Sequence, residues 1–215
     1  MKNNYFSSAI KGLILFSGLI LGSFQSFAQT QNRFVGTTIV DLNKETKLPC
    51  FIQFNEENQI TQEKFVEWAT YAFELPKISS LKEYSIEKDE IGFTHTRYKQ
   101  YVNEFPVEGT MVITHSQNGK IKSVNGEYLQ KFGSSYSASL SEESALKHAL
   151  KKINAKKYKW QNKEELEQKR KALNDPNFTY YPKGELVIIH KKGTNYDAAN
   201  IRLAYKFNIY AEEPL

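Results

Sequence analysis

Apolar residues recur at helical spacing in one short stretch of the first half of the chain. Thr61 can cap a helix there, Ile60 can pack on Phe65 as a hydrophobic staple, and Pro76 ends the pattern. Apolar residues three and four positions apart share one face of a helix. That face consists of Phe65, Trp68, Ala69, Ala72 and Leu75. An aromatic stripe of this kind is typical of a helix that packs on a core, rather than of a ligand site.

From residue 81 to residue 130 the period changes to two, which is typical of strands. Residues 85–91 and 93–102 are two predicted strands, and NEFPVEG at 103–109 interrupts the alternation. TMVITH and KIKSV continue it on either side of Asn118 and Gly119, two residues that tolerate positive φ and favour a hairpin turn. This segment is therefore a predicted β-meander. Upstream of the helix, TTIV and FIQF are further short strand candidates.

A polar linker separates this region from a second helical pattern. FGSSYSAS, residues 132–139, is rich in small polar residues and marks the predicted domain boundary. The next helix has two possible starts, a capping box of Ser139 with Glu142, or Ser141 with a staple between its neighbours. Both starts fit the sequence. The predicted buried stripe consists of Ala145, Ala149, Leu150 and Ile153.

The remaining sequence predicts a surface helix and a hairpin. KEELEQKRKAL, residues 163–173, is helical in pattern, and Asn174-Asp175-Pro176 stops it. ELVIIHKKG and IRLAYKFNIY are two antiparallel strands around a loop at residues 193–195. The predicted fold class is therefore α+β, with two small domains that each pack a helix on an antiparallel sheet. The predicted boundaries are residues 29–132 for the first domain, 133–139 for the linker and 140–215 for the second domain.

The first 28 residues have the features of a secretory signal peptide. Lys2 and Lys11 precede GLILFSGLILG, an apolar run shorter than the roughly 20 residues that span a bilayer. Small residues follow, and the predicted cleavage lies between Ala28 and Gln29. An uncleaved N-terminal anchor is the alternative. We expect a secreted or periplasmic protein without a stable membrane anchor after cleavage.

Charge and cysteine content narrow the function classes. The formal net charge of the chain is +5, and the first 28 residues hold two lysines and no acidic residue, so the remainder carries +3. Residues 147–171 hold ten Lys/Arg and three Glu, a run that is typical of a solvated helix face, and we expect no nucleic-acid partner. Cys50 is the only cysteine, which excludes an internal disulfide. We interpret it as a small apolar residue beside a strand rather than as a zinc-binding thiolate.

No catalytic motif is present in the chain. None of the four histidines (His95, His115, His148 and His190) is followed by Glu, which excludes the H-E-x-x-H zinc helix. If the hairpin at 95–115 bends near Phe105, residues whose numbers sum to 210 face each other, so His95 meets His115 and Arg97 meets Ile113. Two imidazoles need at least one further protein ligand to hold a metal. We expect a polar cluster that fixes sheet register rather than a metal site.

The same hairpin carries a longer motif, H-x-R-x-x-Q, then P-V-x-G, then a histidine before G-x-[IV], then N-G. In this order it resembles the propeptide module of fungalysin and thermolysin-type metalloproteases. Glu104 and Phe105 depart from the family, which commonly has glycine and a small apolar residue there. The matching positions are His95, Arg97, Gln100, Pro106, Val107, Gly109, His115, Gly119, Ile121, Asn125 and Gly126.

The second half resembles the companion module, called PepSY. SEESALKHAL is similar to its first helix, and the two predicted strands are similar to its paired strands. The strand signature consists of Leu203, Ala204 and Tyr205. A signal peptide, a propeptide module and PepSY, in this order, resemble the pro-region of secreted thermolysin-like zinc proteases.

The resemblance implies a chain that helps a peptidase domain to fold and inhibits it until cleavage. Its partner would be a thermolysin-like peptidase domain, in cis or in trans. No catalytic residue, metal ligand or cofactor is expected in this chain, and zinc and calcium are expected only in a catalytic domain. Arg97, Gln100 and His115 are candidates for organising the sheet or the enzyme contact. An extended segment beyond residue 205 is expected to lie along the active-site cleft.

Two arrangements of the gene fit this resemblance. We expect a fragment of a longer precursor, whose full form would be a zinc metalloendopeptidase. The alternative is a free-standing exported PepSY-type binding or protease-inhibitor protein. A downstream H-E-x-x-H would distinguish the first from the second.

Overall fold

The computed structural model describes residues 33–213. The predicted signal peptide, with its cleavage site between Ala28 and Gln29, lies outside these residues. Within them, antiparallel sheets combine with three α-helices, which confirms the predicted α+β class. No helix in this part of the chain is long and apolar enough to cross a bilayer.

One seven-stranded antiparallel sheet dominates the first half. Its strands are β1 (Thr37–Leu42), β2 (Pro49–Phe54), β3 (Ser79–Lys88), β4 (Phe93–Val102), β5 (Phe105–Pro106), β6 (Met111–Gln117) and β7 (Lys120–Glu127). They are arranged in the order β1-β2-β7-β6-β4-β3, with β5 paired to the end of β4. The predicted meander is confirmed. Asn118 and Gly119 both have positive φ, 53° and 74°, and connect β6 to β7 as the sequence predicts.

The inner face of this sheet packs on helix α1 (Phe65–Ala72). Phe65, Ala69 and Ala72 are buried, and Trp68 packs against them, which confirms the predicted stripe. Trp68 makes edge contacts with Phe54 at 5.1 Å between ring centroids. Aromatic rings in this arrangement add to the burial of apolar surface.

Helix α1 is shorter than the pattern from Thr61 to Pro76 predicts. A 3-10 turn, Gln62–Lys64, precedes it, and the Thr61 side chain makes no capping hydrogen bond to this turn. At the other end Glu74 has φ of 48°, and the N–H of Leu75 donates to the carbonyl of Thr70 at 3.0 Å. This left-handed residue ends the helix before Pro76 and returns Leu75 to the core.

The second half contains two helices and two small antiparallel sheets. These elements are α2 (Glu142–Ile153), β8 (Lys157–Tyr158), α3 (Lys163–Leu173), β9 (Glu185–His190), β10 (Ile201–Lys206) and β11 (Ala211–Glu213). Strands β9 and β10 form the predicted hairpin, and β8 pairs with β11 at the end of the described chain. Helix α3 has the predicted bounds, and left-handed Asn174 follows it.

The structure shows which of the two predicted starts helix α2 uses. Ser141 is the cap, and its hydroxyl accepts the N–H of Ser144 at 3.2 Å. The predicted stripe is partly wrong. Leu146, which the prediction omits, is the buried residue of the helix, whereas Ile153 is exposed on the last turn.

The two halves share a second apolar cluster. Val102, Val107 and Leu129 from the first half are buried with Ile188 and Ile201 from the second. Residues 128–141, which include the predicted linker, contain neither helix nor strand, but Phe132 and Tyr136 pack on this cluster. The division into two domains at residues 133–139 stays a prediction.

Candidate functional site

The propeptide-like positions are the residues that match the motif H-x-R-x-x-Q, P-V-x-G, H, G-x-[IV] and N-G. Those on strands β4 and β6 are distributed between the two faces of the sheet. From Thr96 onwards in β4 and throughout β6, even-numbered residues are buried against the core, and odd-numbered residues are half-buried on the opposite, outer face. The observed register pairs His95 with His115 and Arg97 with Ile113, as the hairpin argument predicts. No element of the described chain packs a buried cluster on the outer face, so these side chains are available to solvent or to a partner.

His95 and His115 contact each other directly across the two strands. Their Nδ1 atoms lie 2.6 Å apart, with the rings at 72° to one another. The Nε2 atom of His95 lies 3.2 Å from Oδ2 of Asp89, and Nε2 of His115 lies 2.5 Å from Oδ1 of Asn125. The four side chains therefore form a continuous chain of hydrogen bonds, which we call the histidine chain.

Asp89 ends the histidine chain in the turn between β3 and β4. Burial alone would raise the pKa of its carboxyl, but hydrogen bonds from the N–H of Phe93, the ring of His95 and the N–H of Ile91 lower the pKa below the usual range. The carboxyl is therefore ionised at neutral pH. It holds the β3–β4 turn through the two backbone N–H groups, at 2.8 and 3.1 Å.

Charged and aromatic side chains surround the histidine chain on the outer face. Arg97 Nη1 lies 2.9 Å from Glu87 Oε2 on the neighbouring strand β3. Lys99 Nζ lies 3.8 Å from the ring centroid of Tyr84, a cation–π contact. The outer face thus presents cations held by neighbouring aromatic and acidic groups.

Gln100 is a propeptide-like position on the inner face, and it is fully buried. Its Nε2 donates to the carbonyl of Leu129 at 2.7 Å and to the hydroxyl of Ser79 at 2.9 Å. Its Oε1 accepts the N–H of Leu129 at 2.9 Å. One side chain therefore connects β4 to the start of β3 and to the chain that leaves β7.

Pro106, Val107 and Gly109 lie where the two halves meet. Val107 and Ile188 form a parallel β-bridge, and the N–H of Glu108 donates to the carbonyl of Ile188 at 2.8 Å. The Glu108 carboxylate also accepts a hydrogen bond from Lys206 at 2.8 Å. Pro106 has no N–H and is paired to Tyr101 at the end of the sheet.

Two further propeptide-like positions are glycines with positive φ in or beside β7. Gly119 is the second residue of the β6–β7 turn. A Cβ atom at Gly126 would lie 2.0 Å from the carbonyl oxygen of Met111 on β6, closer than van der Waals contact allows. Gly126 therefore permits the close approach of β7 to β6.

Leu203, Ala204 and Tyr205 occupy successive positions of β10 opposite Ile188, Val187 and Leu186. Leu203 packs on the apolar cluster that the two halves share. Ile188 is also the partner of Val107. Strand β9 therefore lies between the Leu203-Ala204-Tyr205 signature on β10 and the P-V-x-G segment of the first half.

A groove of about 370 Å³ opens beside this junction. Glu108 and Glu127 line it from the first half, and His190 and Tyr196 line it from the second. The rings of His190 and Tyr196 stack at 4.1 Å. Sequence reasoning missed the groove, because the walls that the two halves contribute come from segments at least 60 residues apart.

Asp89 and Asn125 complete the histidine chain, yet only Asn125 is among the predicted positions. Asp89 precedes Gly92 in a turn, and its role depends on the way this turn folds back towards His95. Within residues 33–213 no group of three or more His, Cys, Asp or Glu side chains is placed to hold a metal ion. Cys50, on β2, is partly buried.

The Fungalysin/Thermolysin Propeptide Motif matches residues 79–128, from the start of β3 to the residue after β7. No curated protein matches the chain. The matched region contains the histidine chain, Gln100, and Val107 and Glu108, which both contact Ile188 on β9.

Proposed function

We propose that this chain is the pro-region of a secreted thermolysin-like zinc metalloprotease. The propeptide motif over residues 79–128 is the observation that carries the proposal. In this function the chain helps the peptidase domain to fold, because large secreted proteases are held behind high folding barriers. It also inhibits the folded enzyme until cleavage separates the two.

The second half would be a PepSY module in this proposal, with residues 29–132 as the propeptide module before it. The paired strands β9 and β10 and the helix α2 before them support this assignment. The N–H of Gly184 donates to Glu142 Oε1 at 2.6 Å, which holds the first turn of α2 to the start of β9. Helix and hairpin therefore form one unit.

We place the enzyme contact on the outer face of the large sheet. Arg97, His95 and His115 present polar side chains there, whereas Gln100 is buried and would organise the sheet. Arginine is enriched at the energetic centres of protein interfaces. The histidine chain and the Arg97–Glu87 pair would keep these side chains in one arrangement before binding.

The segment after residue 205 is placed differently from the extended segment that the resemblance implies. Residues 211–213 form β11 and pair with β8, and Glu212 Oε1 accepts hydrogen bonds from Lys157 at 3.1 Å and Asn162 at 2.9 Å. In our proposal the part of the chain that enters the active-site cleft is therefore residues 207–210 or sequence after 213, rather than β11 itself.

Export and metal content follow from the same proposal. The pro-region would leave the cell on a signal peptide cleaved between Ala28 and Gln29. Zinc and calcium would bind in the peptidase domain only. The chain alone would therefore hydrolyse no casein.

The proposal can be tested with purified chain and a thermolysin-type peptidase from the same cells. We expect the chain to slow hydrolysis of a fluorogenic peptide in a saturable manner, and to raise the yield of active enzyme when the denatured peptidase is refolded. Arg97→Ala should weaken inhibition about tenfold. Arg202→Ala, at an exposed position of β10, is the matched control.

An intact chain that neither binds nor inhibits such a peptidase would contradict the proposal. Zinc-dependent casein hydrolysis by the chain alone would contradict the statement that zinc binds only in the peptidase domain. The groove between the halves favours one alternative, a free-standing exported binding protein. That function predicts affinity for a small ligand at the groove, measurable by calorimetry, without any effect on a peptidase.

A further inference from the structure

Two lysines lie directly opposite each other at one edge of the large sheet. Lys82 on β3 pairs with Lys99 on β4, and β3 is the last strand of this sheet within residues 33–213. Residues directly opposite on antiparallel strands point to the same face, so both side chains extend over the outer face. Like charges in this position destabilise a sheet. The stability of the sheet alone would therefore not favour this pair.

Each of the two lysines is held by a tyrosine on the other strand. Nζ of Lys82 lies 4.4 Å from the ring centroid of Tyr101, and Nζ of Lys99 lies 3.8 Å from that of Tyr84. The two contacts run along opposite diagonals between β3 and β4, so they draw the ammonium groups apart. A ring attracts a cation through its face but leaves the charge and the N–H donors in place. These four residues, which we call the lysine–tyrosine square, therefore present two positioned ammonium groups.

No carboxylate contacts either ammonium group. The ion pairs in the described part of the chain include neither lysine of the square. Glu87, on the outer face of β3, is engaged by Arg97 at 2.9 Å. Glu83 lies opposite Tyr98, whose side chain is buried on the inner face. The square therefore carries two positive charges for which the folded sheet supplies no contacting counter-charge.

The square also exposes an aromatic ring. Tyr84 is 59% exposed, although its ring is large enough to bury much apolar surface. Tyrosine is enriched at the energetic centres of protein interfaces, and an exposed ring that already holds one neighbour loses little conformational freedom on binding. The square thus combines two unpaired cations with an aromatic contact surface.

From this arrangement we propose that the lysine–tyrosine square binds an acidic segment of a partner protein, with one carboxylate facing each ammonium group. The inference rests on the proposed function for the identity of the partner, which would be the peptidase domain. Binding supplies the missing counter-charge to both lysines and so relieves their mutual repulsion. The square therefore selects the partner by charge as well as by shape.

The neighbouring residues oppose a long polyanion. Residues 79–91, which form β3 and the turn after it, hold two lysines and four acidic residues. Heparin or a nucleic acid carries negative charge along its whole length, so it would meet these carboxylates as well as the square. A short acidic segment that contacts only the square avoids them.

A test without any peptidase is an NMR titration of the purified chain with a synthetic peptide that alternates glutamate with serine and has blocked ends. In an extended peptide of this pattern the glutamates share one face. We expect the shifts of backbone N–H groups to concentrate in β3 and β4 around the square, and the affinity to fall as salt is added. The same peptide with glutamine in place of glutamate should not bind.

Variants separate the position of the lysines from the total charge. Lys82→Gln combined with Lys99→Gln should lower the affinity about fivefold, since each exposed ion pair contributes modestly. Lys151→Gln combined with Lys152→Gln, at exposed positions of α2, removes the same charge and should bind like the unaltered chain. Tyr84→Leu keeps every charge but no longer positions Lys99, so we expect about threefold weaker binding.

Three results would refute the proposal. The first is no affinity of the unaltered chain for the glutamate peptide. The second is an equal loss of affinity in the two double variants, which would show that only net charge matters. The third is tighter binding of heparin or of a DNA strand of equal charge through the same two lysines, because the partner would then be a polyanion rather than a protein segment.

An inhibition assay separates this inference from the proposed function. If the unaltered chain inhibits the peptidase and the variant without Lys82 and Lys99 inhibits it equally, the proposed function stands and the inference is wrong. If the square binds the glutamate peptide but the chain inhibits no peptidase, the proposed function is wrong and the square is still shown to bind acidic segments.

Discussion

Val107 and Ile188 lie side by side as a parallel β-bridge, although 80 residues of chain separate them, and both are buried in the same apolar cluster. One belongs to the P-V-x-G segment after β4, and the other to the hairpin of the second half. Since the cluster draws residues from both halves, neither half buries it alone. The two halves should therefore unfold together rather than as separate units.

Shortening Val107 tests this coupling. We expect Val107→Ala to lower the free energy of unfolding by about 2 kcal/mol, because the substitution leaves a cavity in the shared cluster. Val35→Ala, at a position that is 69% exposed, is the matched control and should have little effect. Urea unfolding followed by both fluorescence and circular dichroism measures the change. Two separate transitions in the unaltered chain would contradict the coupling.

Removal of the buried amide of Gln100 should be more severe. Gln100→Leu leaves the N–H and carbonyl of Leu129 and the hydroxyl of Ser79 without this partner, so we expect a loss of about 3 kcal/mol in the free energy of unfolding. Gln53→Leu, at an exposed position of β2, makes the same chemical change without a buried partner. Equal effects of the two substitutions, measured by chemical denaturation, would show that the network contributes nothing.

Unlike the substitution of Gln100, the removal of the Tyr128 hydroxyl should not lower stability. Its hydroxyl is buried without a hydrogen-bond partner among the described residues, while its ring stacks on Phe73 at 4.3 Å. Tyr128→Phe keeps the stacking and removes the unpaired group, so the free energy of unfolding should stay equal or rise by about 0.5 kcal/mol.

The same residue predicts a loss of stability in alkali. Burial raises the pKa of the Tyr128 hydroxyl, an effect that Glu74 reinforces and Arg33 opposes. The unfolded phenol loses its proton above about pH 10, whereas the folded one keeps it, so the folded state loses stability as the pH rises beyond that value. Melting curves up to pH 11 should show a smaller alkaline loss for Tyr128→Phe than for the unaltered chain.

Asp89 predicts an effect in acid. Its hydrogen bonds lower the pKa of the folded carboxyl, so the contribution of the charged group is present above about pH 4 and disappears as the pH falls through the folded value. Asp89→Asn should melt below the unaltered chain at neutral pH, and the two melting temperatures should converge below about pH 4. Asp41→Asn, at an exposed position of β1, should show no such convergence.

The strands and their register follow from local sequence to an unusual degree. The alternation in β4 and β6 sets which residues face the core, and the single bend near Phe105 then sets the pairing of His95 with His115. The positive φ values at Asn118 and Gly119 are also a local preference. The first part of the candidate site was therefore predictable without any tertiary information.

Contacts between distant segments could not be predicted from local sequence patterns. Nothing near Val107 indicates that Ile188 will lie beside it, and the pairing of β11 with the two-residue strand β8 gives no periodic signal. The predicted stripe omitted Leu146, although this residue lies four positions before Leu150 on the same side of the helix. Asp89 was missed because the turn that directs it to His95 depends on hydrogen bonds made by its own carboxylate.

The strand order of the large sheet determines the order in which its strands can pair as the chain is synthesised. Strand β2 pairs with β7, which lies about 70 residues later in the sequence, so a chain that emerges from its N-terminus first must wait for Asn125 before β2 has its second neighbour. During that interval the hairpin of β1 and β2 has an open edge. A chaperone or a translocation channel that shields residues 37–54 would therefore matter most early, before the strands that complete the sheet have been synthesised.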